Sequence, residues 1–181
     1  MHLFAEPASR SSILAAARRG CLFAVVDACG RADVPERARA AGPKGAGSLW
    51  EQRPFRDLWA LAPYLFRADE SIIQWIETDL APTPWGIYFR TLEPVALAGM
   101  AQHLERYVEA VTASGRRVHF RFYDPRVVEP FLQSATDAEL ATFLGPADAV
   151  GVPDFVGRGT AWWKLLGAAV GPVPIAVRLT R

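Results

Sequence analysis

The chain is poor in the side chains that most often carry chemistry. Among 181 residues there are 2 cysteines and 3 histidines. The cysteines, Cys21 and Cys29, bracket an apolar run. If that run is an extended strand they lie roughly 26 Å apart at about 3.3 Å per residue. A disulfide needs Cα atoms within about 7 Å, so both are expected as free thiols, which fits a reducing compartment. Neither belongs to a Cys-x-x-Cys pair, and no histidine has a second ligand at metal spacing, so zinc and redox chemistry have no motif. No serine sits in a Gly-x-Ser-x-Gly turn. Gly42-Pro-Lys-Gly-Ala-Gly47 lacks the Gly-Lys-Ser/Thr ending of a phosphate loop. Catalytic, cofactor-binding and metal-binding residues are therefore all expected to be none.

An excess of charge is missing too. Lysine and arginine total 20 against 19 acidic residues, a net charge of +1. No bulk field draws the chain to nucleic acid or to an anionic membrane. Arg18-Arg19 followed by Cys21-Leu-Phe-Ala-Val-Val26 looks superficially like an export signal. Asp27 ends that run after six residues, too short for a signal core or a membrane span. A cytoplasmic location is expected.

What is present is an ordinary globular balance, 51% apolar and 22% charged, with 6 tryptophans. The length fits one domain with one core, residues 1–181. Ser9, Ser11 or Ser12 can cap a first helix that ends at Gly20. Residues 21–27 form a strand whose continuous apolar character implies burial on both faces. A helix from Asp33 to Ala41 follows, then a glycine-rich loop. A short helix over Phe55 to Leu61 feeds a strand at Ala62-Pro-Tyr-Leu-Phe66. Helical spacing covers Glu70 to Leu80, and Trp85 to Arg90 form another strand. Pro94 opens a long helix closed by Gly115. A short helix follows near Asp137 to Leu144. Ala149–Val152 and Pro174–Leu179 add strands, and Thr160 to Leu166 form a short helix. Strands alternating with helices predict an α/β fold, a mixed or largely parallel sheet with helices on both faces.

The richest stretch is Arg117-Val-His-Phe-Arg-Phe-Tyr-Asp-Pro-Arg-Val-Val-Glu-Pro-Phe-Leu132. Val118, Phe120 and Phe122 alternate with His119, Arg121 and Tyr123 as in a strand. Asp124 is placed to cap a helix that Pro125 opens. Val127, Val128, Phe131 and Leu132 make its apolar face. Asp27 and Asp124 each end a predicted strand. One reading makes them a paired-carboxylate site for metal or acid–base work. The other has Asp124 capping its helix and Asp27 binding Arg126 or nearby backbone N–H groups. Arg121 and Arg126 then neutralise the carboxylates. His103 flanks the long helix and His2 sits at the terminus. Adjacent Trp162 and Trp163 point about 100° apart on a helix. Either one is exposed as an anchor for a partner, or both pack on the core. Trp59 and Tyr64 are expected in the core.

Phe120-Arg-Phe-Tyr-Asp-Pro-Arg-Val127 resembles the hallmark of the type VI secretion effector chaperones. These are also called adaptors and were long catalogued as a domain of unknown function. Leu22-Phe-Ala-Val-Val-Asp27, Ala62-Pro-Tyr-Leu65, Trp85-Gly-Ile87, His103-Leu104 and Phe143-Leu-Gly-Pro146 resemble its other segments, in order. The likeness runs from about Cys21 to Pro146. Glu105 departs from it, standing where the family has arginine. The resemblance implies a non-enzymatic adaptor that binds a toxin effector and loads it onto the C-terminal region of the spike (VgrG) protein. Its motif or partner-binding positions would be Asp27, Arg121, Tyr123, Asp124 and Arg126. The alternative from the residues themselves is a small metal-dependent hydrolase using Asp27, Asp124 and His103.

Overall fold

The computed structural model describes residues 2–51, 56–81, 83–112, 114–154, 159–166 and 178–179. In chain order the elements are β1 (His2–Ala8), α1 (Arg10–Arg18), β2 (Leu22–Asp27), α2 (Asp33–Gly45), β3 (Ala46–Ser48), β4 (Pro63–Arg67), α3 (Glu70–Trp75), β5 (Gly86–Arg90), α4 (Leu97–Leu104), β6 (Glu109–Thr112), β7 (Arg117–His119), α5 (Pro125–Ser134), α6 (Asp137–Leu144), β8 (Ala149–Asp154), β9 (Gly159–Leu166) and β10 (Arg178–Leu179). A 3-10 turn, Arg56–Leu61, precedes β4, and a π turn, Ile76–Leu80, extends α3.

The main sheet has seven strands in the order β1-β9-β8-β5-β2-β4-β3. Every pairing in it is antiparallel. The expected mixed or largely parallel sheet is therefore wrong, and the connections show why. β4 and β5 are joined through α3 and run parallel to each other, but β2 lies between them, antiparallel to both. β2 and β3 are joined through α2 in the same way, with β4 between them. The strand–helix–strand rhythm is real. These two crossovers each skip one strand, and β1–α1–β2 skips three; antiparallel strands fill every gap. A second sheet has the order β10-β6-β7, with β6 antiparallel to β7 and β10 parallel to β6.

β2 is an interior strand between β5 and β4, and Leu22 to Val26 have no exposed surface. Leu22, Ala24 and Val26 face a layer built from α1, α2 and α3, with Ile13, Val34, Ile73 and Trp75. Phe23 and Val25 face the opposite layer, with Met100 and Leu104 of α4, Val128 and Phe131 of α5 and Phe143 of α6. Each such side chain stabilises by about 1.5–3 kcal/mol on burial. The run is apolar because both faces are covered, a condition that here belongs to an antiparallel sheet.

Local sequence accounts for the caps. Ser9 accepts the Ser12 N–H, Asp69 accepts the Ile72 N–H, and Thr136 and Glu139 form a capping box at α6. Three other expectations fail. The long helix from Pro94 to Gly115 stops at Leu104, and Val108 to Thr112 turn into β6 territory. That segment carries Val108, Val111 and Thr112, β-branched residues that favour a strand once a partner is available. Gly115, at φ 78°, turns the β6–β7 hairpin. The helix expected over Thr160 to Leu166 is β9, paired along its length with β1 and β8. The glycine-rich loop contains β3, and α2 kinks at Gly42 with φ 68°. Of the strand expected over Pro174–Leu179, only Arg178–Leu179 are described, as β10; residues 174–177 lie outside the described residues.

Gly86 opens β5 at φ 153°, and a Cβ there would stand 1.9 Å from the Val25 carbonyl oxygen. Gly86→Ala is expected to cost about 3 kcal/mol or more, from backbone strain plus displacement of β2. Thermal or urea denaturation measures it, and an unchanged midpoint would contradict this close approach.

Candidate functional site

The end of β2, the exit of β7 and the start of α5 converge. Asp27 closes β2. Its Oδ1 accepts the Cys29 N–H at 3.0 Å, and its Oδ2 accepts from Arg121 Nη2 at 2.5 Å. Asp124 caps α5, accepting the Arg126 N–H on Oδ1 at 3.0 Å. The Arg126 side chain grips the same carboxylate bidentately, Nε on Oδ1 at 2.9 Å and Nη2 on Oδ2 at 2.7 Å. Arg121 Nη2 also stands 3.7 Å from Asp124 Oδ2, so one guanidinium lies between the two carboxylates. Asp27 thus takes Arg121 and a neighbouring N–H. Of the two partners expected for Asp27, the nearby backbone N–H is present, whereas Arg126 belongs to Asp124.

The burial is lopsided. The Asp124 and Asp27 side chains are 4% and 12% exposed, while Arg121 and Arg126 are 41% and 55% exposed. Buried carboxylates are held by guanidiniums that keep one side in water. Burial pushes the Asp124 carboxyl up. The Arg126 side chain and N–H, with the Arg126 and Arg121 charges, outweigh it and hold the carboxyl below its ordinary value.

β7 ends at His119, so the strand expected to run through Tyr123 is shorter, and Phe120 to Tyr123 form a turn. Phe120 and Phe122 are buried in the aromatic layer with Phe131 and Phe143. Tyr123 is buried as well; its hydroxyl lies 3.1 Å from His119 Nε2, and burial pushes its pKa up. The His119 ring meets Trp50 edge-on at 5.4 Å. Burial pushes His119 down, and the Arg121 charge adds to that against the Val108 carbonyl. The Trp50 contact had no signal in the sequence, because nothing local ties residue 50 to residue 119.

The other singled-out residues lie elsewhere. His103 Nε2 donates to the Phe143 carbonyl at 2.8 Å, and its ring stacks edge-on against Tyr107. Burial pushes its pKa down. Gly145, at φ 55°, is required there, since a Cβ would stand 2.1 Å from the imidazole. Trp162 and Trp163 point to opposite faces of β9. Trp162 is buried in the α1–α3 layer and Trp163 packs partly buried against the other. Neither stands free as an anchor. Tyr64 is buried, whereas Trp59, expected in the core, is 50% exposed beside Leu58 and Leu61. Cys21 is buried and Cys29 exposed, both free. His2 lies in β1. Among the described residues no three His, Cys, Asp or Glu side chains gather as metal ligands, and no helix is long and apolar enough to cross a membrane.

The carboxylates of this junction are sealed by arginines, and its aromatics are packed. Fold and site together define an α+β domain built on one antiparallel sheet, with the motif residues at a strand–helix junction. Residues 22–142 match the model of the domain of unknown function DUF4123, and the chain belongs to that family. No curated protein and no solved structure shows a significant match.

Asp124→Ala should destabilise by about 0.5–2 kcal/mol through loss of the cap. Arg126→Lys leaves the cap and the charge in place on an exposed side chain, so it should cost less than Asp124→Ala. Equal losses from the two variants in urea titrations would refute this ranking. Acid should act in two stages. His103 and His119 are held below the ordinary 6.5, so the unfolded chain takes up their protons first. Their contribution is complete above that value and falls as the pH drops through it. Asp124, held below 3.8, contributes above that value and is lost beneath it. Melting temperatures across this range should fall in both windows, and His103→Gln should flatten the upper one.

Proposed function

We propose that the chain is a non-enzymatic adaptor of the type VI secretion system. It binds a toxin effector in the cytoplasm and loads it onto the C-terminal region of the spike (VgrG) protein. The observation that carries this reading is the fate of the motif residues. Asp27, Arg121, Asp124 and Arg126 saturate one another. The segments that resemble the effector chaperones also meet in space. Asp27 of the first meets Arg121 of the hallmark, His103 meets Phe143, and Gly86 lies on Val25. A chain whose polar constellation is committed to holding its own junction acts through surfaces, and binding is the function such a domain supports.

The convergence of Asp27 and Asp124 on Arg121 bears on the metal-dependent hydrolase as well. A guanidinium stands between the two carboxylates, where a divalent ion would have to sit, and His103 Nε2 is engaged with the Phe143 carbonyl. Both features weigh toward the adaptor.

Co-expression with a type VI toxin and spike protein from the same genome is expected to yield a stoichiometric complex that survives gel filtration. Recovery of the chain alone would count against the adaptor. Mg²⁺, Mn²⁺ or Zn²⁺ binding by calorimetry, lost in a folded Asp27→Ala variant, would restore the hydrolase.

A further inference from the structure

Among the described residues the small sheet has an open edge at β7. β7 pairs with β6, which lies between it and β10. The Phe120 N–H donates to the Val108 carbonyl at 3.0 Å and the Thr112 N–H to the Arg116 carbonyl at 2.9 Å. Ala110 stands opposite Val118. Residues 116, 118 and 120 therefore turn their amides and carbonyls toward β6. Antiparallel alternation aims those of Arg117 and His119 the other way, with no strand opposite them among the described residues.

Beside this edge runs a groove of about 640 Å³. Val118 and Phe120 line one wall, and Val127, Pro130 and Phe131 of α5 line the other. Its charged lining is Arg121, already held by Asp27, and Glu139; two further arginines stand just outside it. Arg116 and Arg117 are exposed at the β7 end, and Glu109 approaches only to 3.9 Å from Arg117 Nη1. Glu139, on the far wall, is already taken by the Thr136 N–H and hydroxyl, each at 2.7 Å. A second copy of the chain is a poor occupant, because antiparallel pairing of two β7 strands sets Arg117 against His119 and brings the arginines of both copies to a seam where β7 supplies no acidic residue.

We propose that this edge and groove take an extended segment of the toxin, apolar at alternate positions and acidic at its flank. The segment adds as a strand to β7, using the outward backbone groups of Arg117 and His119. Its alternate side chains enter the groove against Val127, Pro130 and Phe131. Its acidic residues meet Arg116 and Arg117, which steer the encounter and fix the register. This rests on the adaptor reading and assigns that adaptor its docking site.

The test uses the intact toxin and an immobilised array of overlapping peptides tiling its sequence. Wild-type chain is compared with Arg117→Pro, with the double variant Arg116→Glu/Arg117→Glu, and with Ser134→Trp, which fills the groove from an exposed position. Arg117→Pro removes an edge N–H, a change edge strands tolerate. Should it unfold in a thermal melt, the other two carry the test. The expected result is binding to acidic, alternately apolar peptides, weakened by salt. Each folded variant should bind the toxin and those peptides about tenfold less tightly, at an unchanged melting temperature. Folded variants that bind as tightly as wild type would overturn the docking site and leave the adaptor standing. Failure of the wild-type chain to capture the intact toxin would remove the adaptor reading, and this site with it.

Discussion

A strand with two apolar faces cannot be stable at a surface, and β2 is such a strand. Leu22 to Val26 have no exposed surface, with β4 on one side and β5 on the other. Two separate layers must therefore close over it. The N-terminal helices supply one and the helices after β5 supply the other. The sheet inherits its constraints from this strand. Gly86 is glycine because the Val25 carbonyl lies where a side chain would begin. The aromatic cluster of Phe89, Phe122, Phe131 and Phe143 exists because β2 offers Phe23 and Val25 to that side. Contact of each layer with both flanking strands turns a set of short helices into one core.

Features governed by near neighbours were legible in the sequence. The Asp124 cap followed by Pro125, a serine cap among Ser9, Ser11 and Ser12, which proves to be Ser9, and the limits of α6 all follow from residues within one helical turn. Burial of β2 on both faces was legible for the same reason. What failed depends on distant partners. Strand direction is set by which strand fills the gap under a crossover, and no local pattern encodes that. Val108 to Thr112 satisfy a helix and a strand about equally, and pairing with β7 decides the outcome. Trp162 and Trp163 are equally ambiguous until β1 and β8 flank them; then period 2 sends one ring into each layer. At the junction, the four charged residues were legible from their types and spacing. Which arginine meets which aspartate was not, because Asp27 and Arg121 are 94 positions apart.

The density of motif at the junction has a physical origin. Two carboxylates buried at a strand end and a helix start would each be costly without a cation, since an unpaired buried charge loses several kcal/mol of hydration. Arginine serves better than lysine here. Its fork bonds both oxygens of Asp124 while its other face stays in water, and it lies between two carboxylates without closing the site to solvent. The hallmark segment is thus the solution of a packing problem as much as a signature of activity. Its charges are spent internally, so under the proposed adaptor reading recognition draws on groups the junction leaves unused. Those are the outward backbone of β7, the apolar flank of α5 and the arginines just upstream of the hallmark. They lie next to the junction because the same turn that seals the carboxylates also ends β7 early and holds α5 beside it. On this view the motif's role is positional: rigid carboxylate–guanidinium pairs fix the distance between a free strand edge and a helix face, and that distance sets the width of the groove between them.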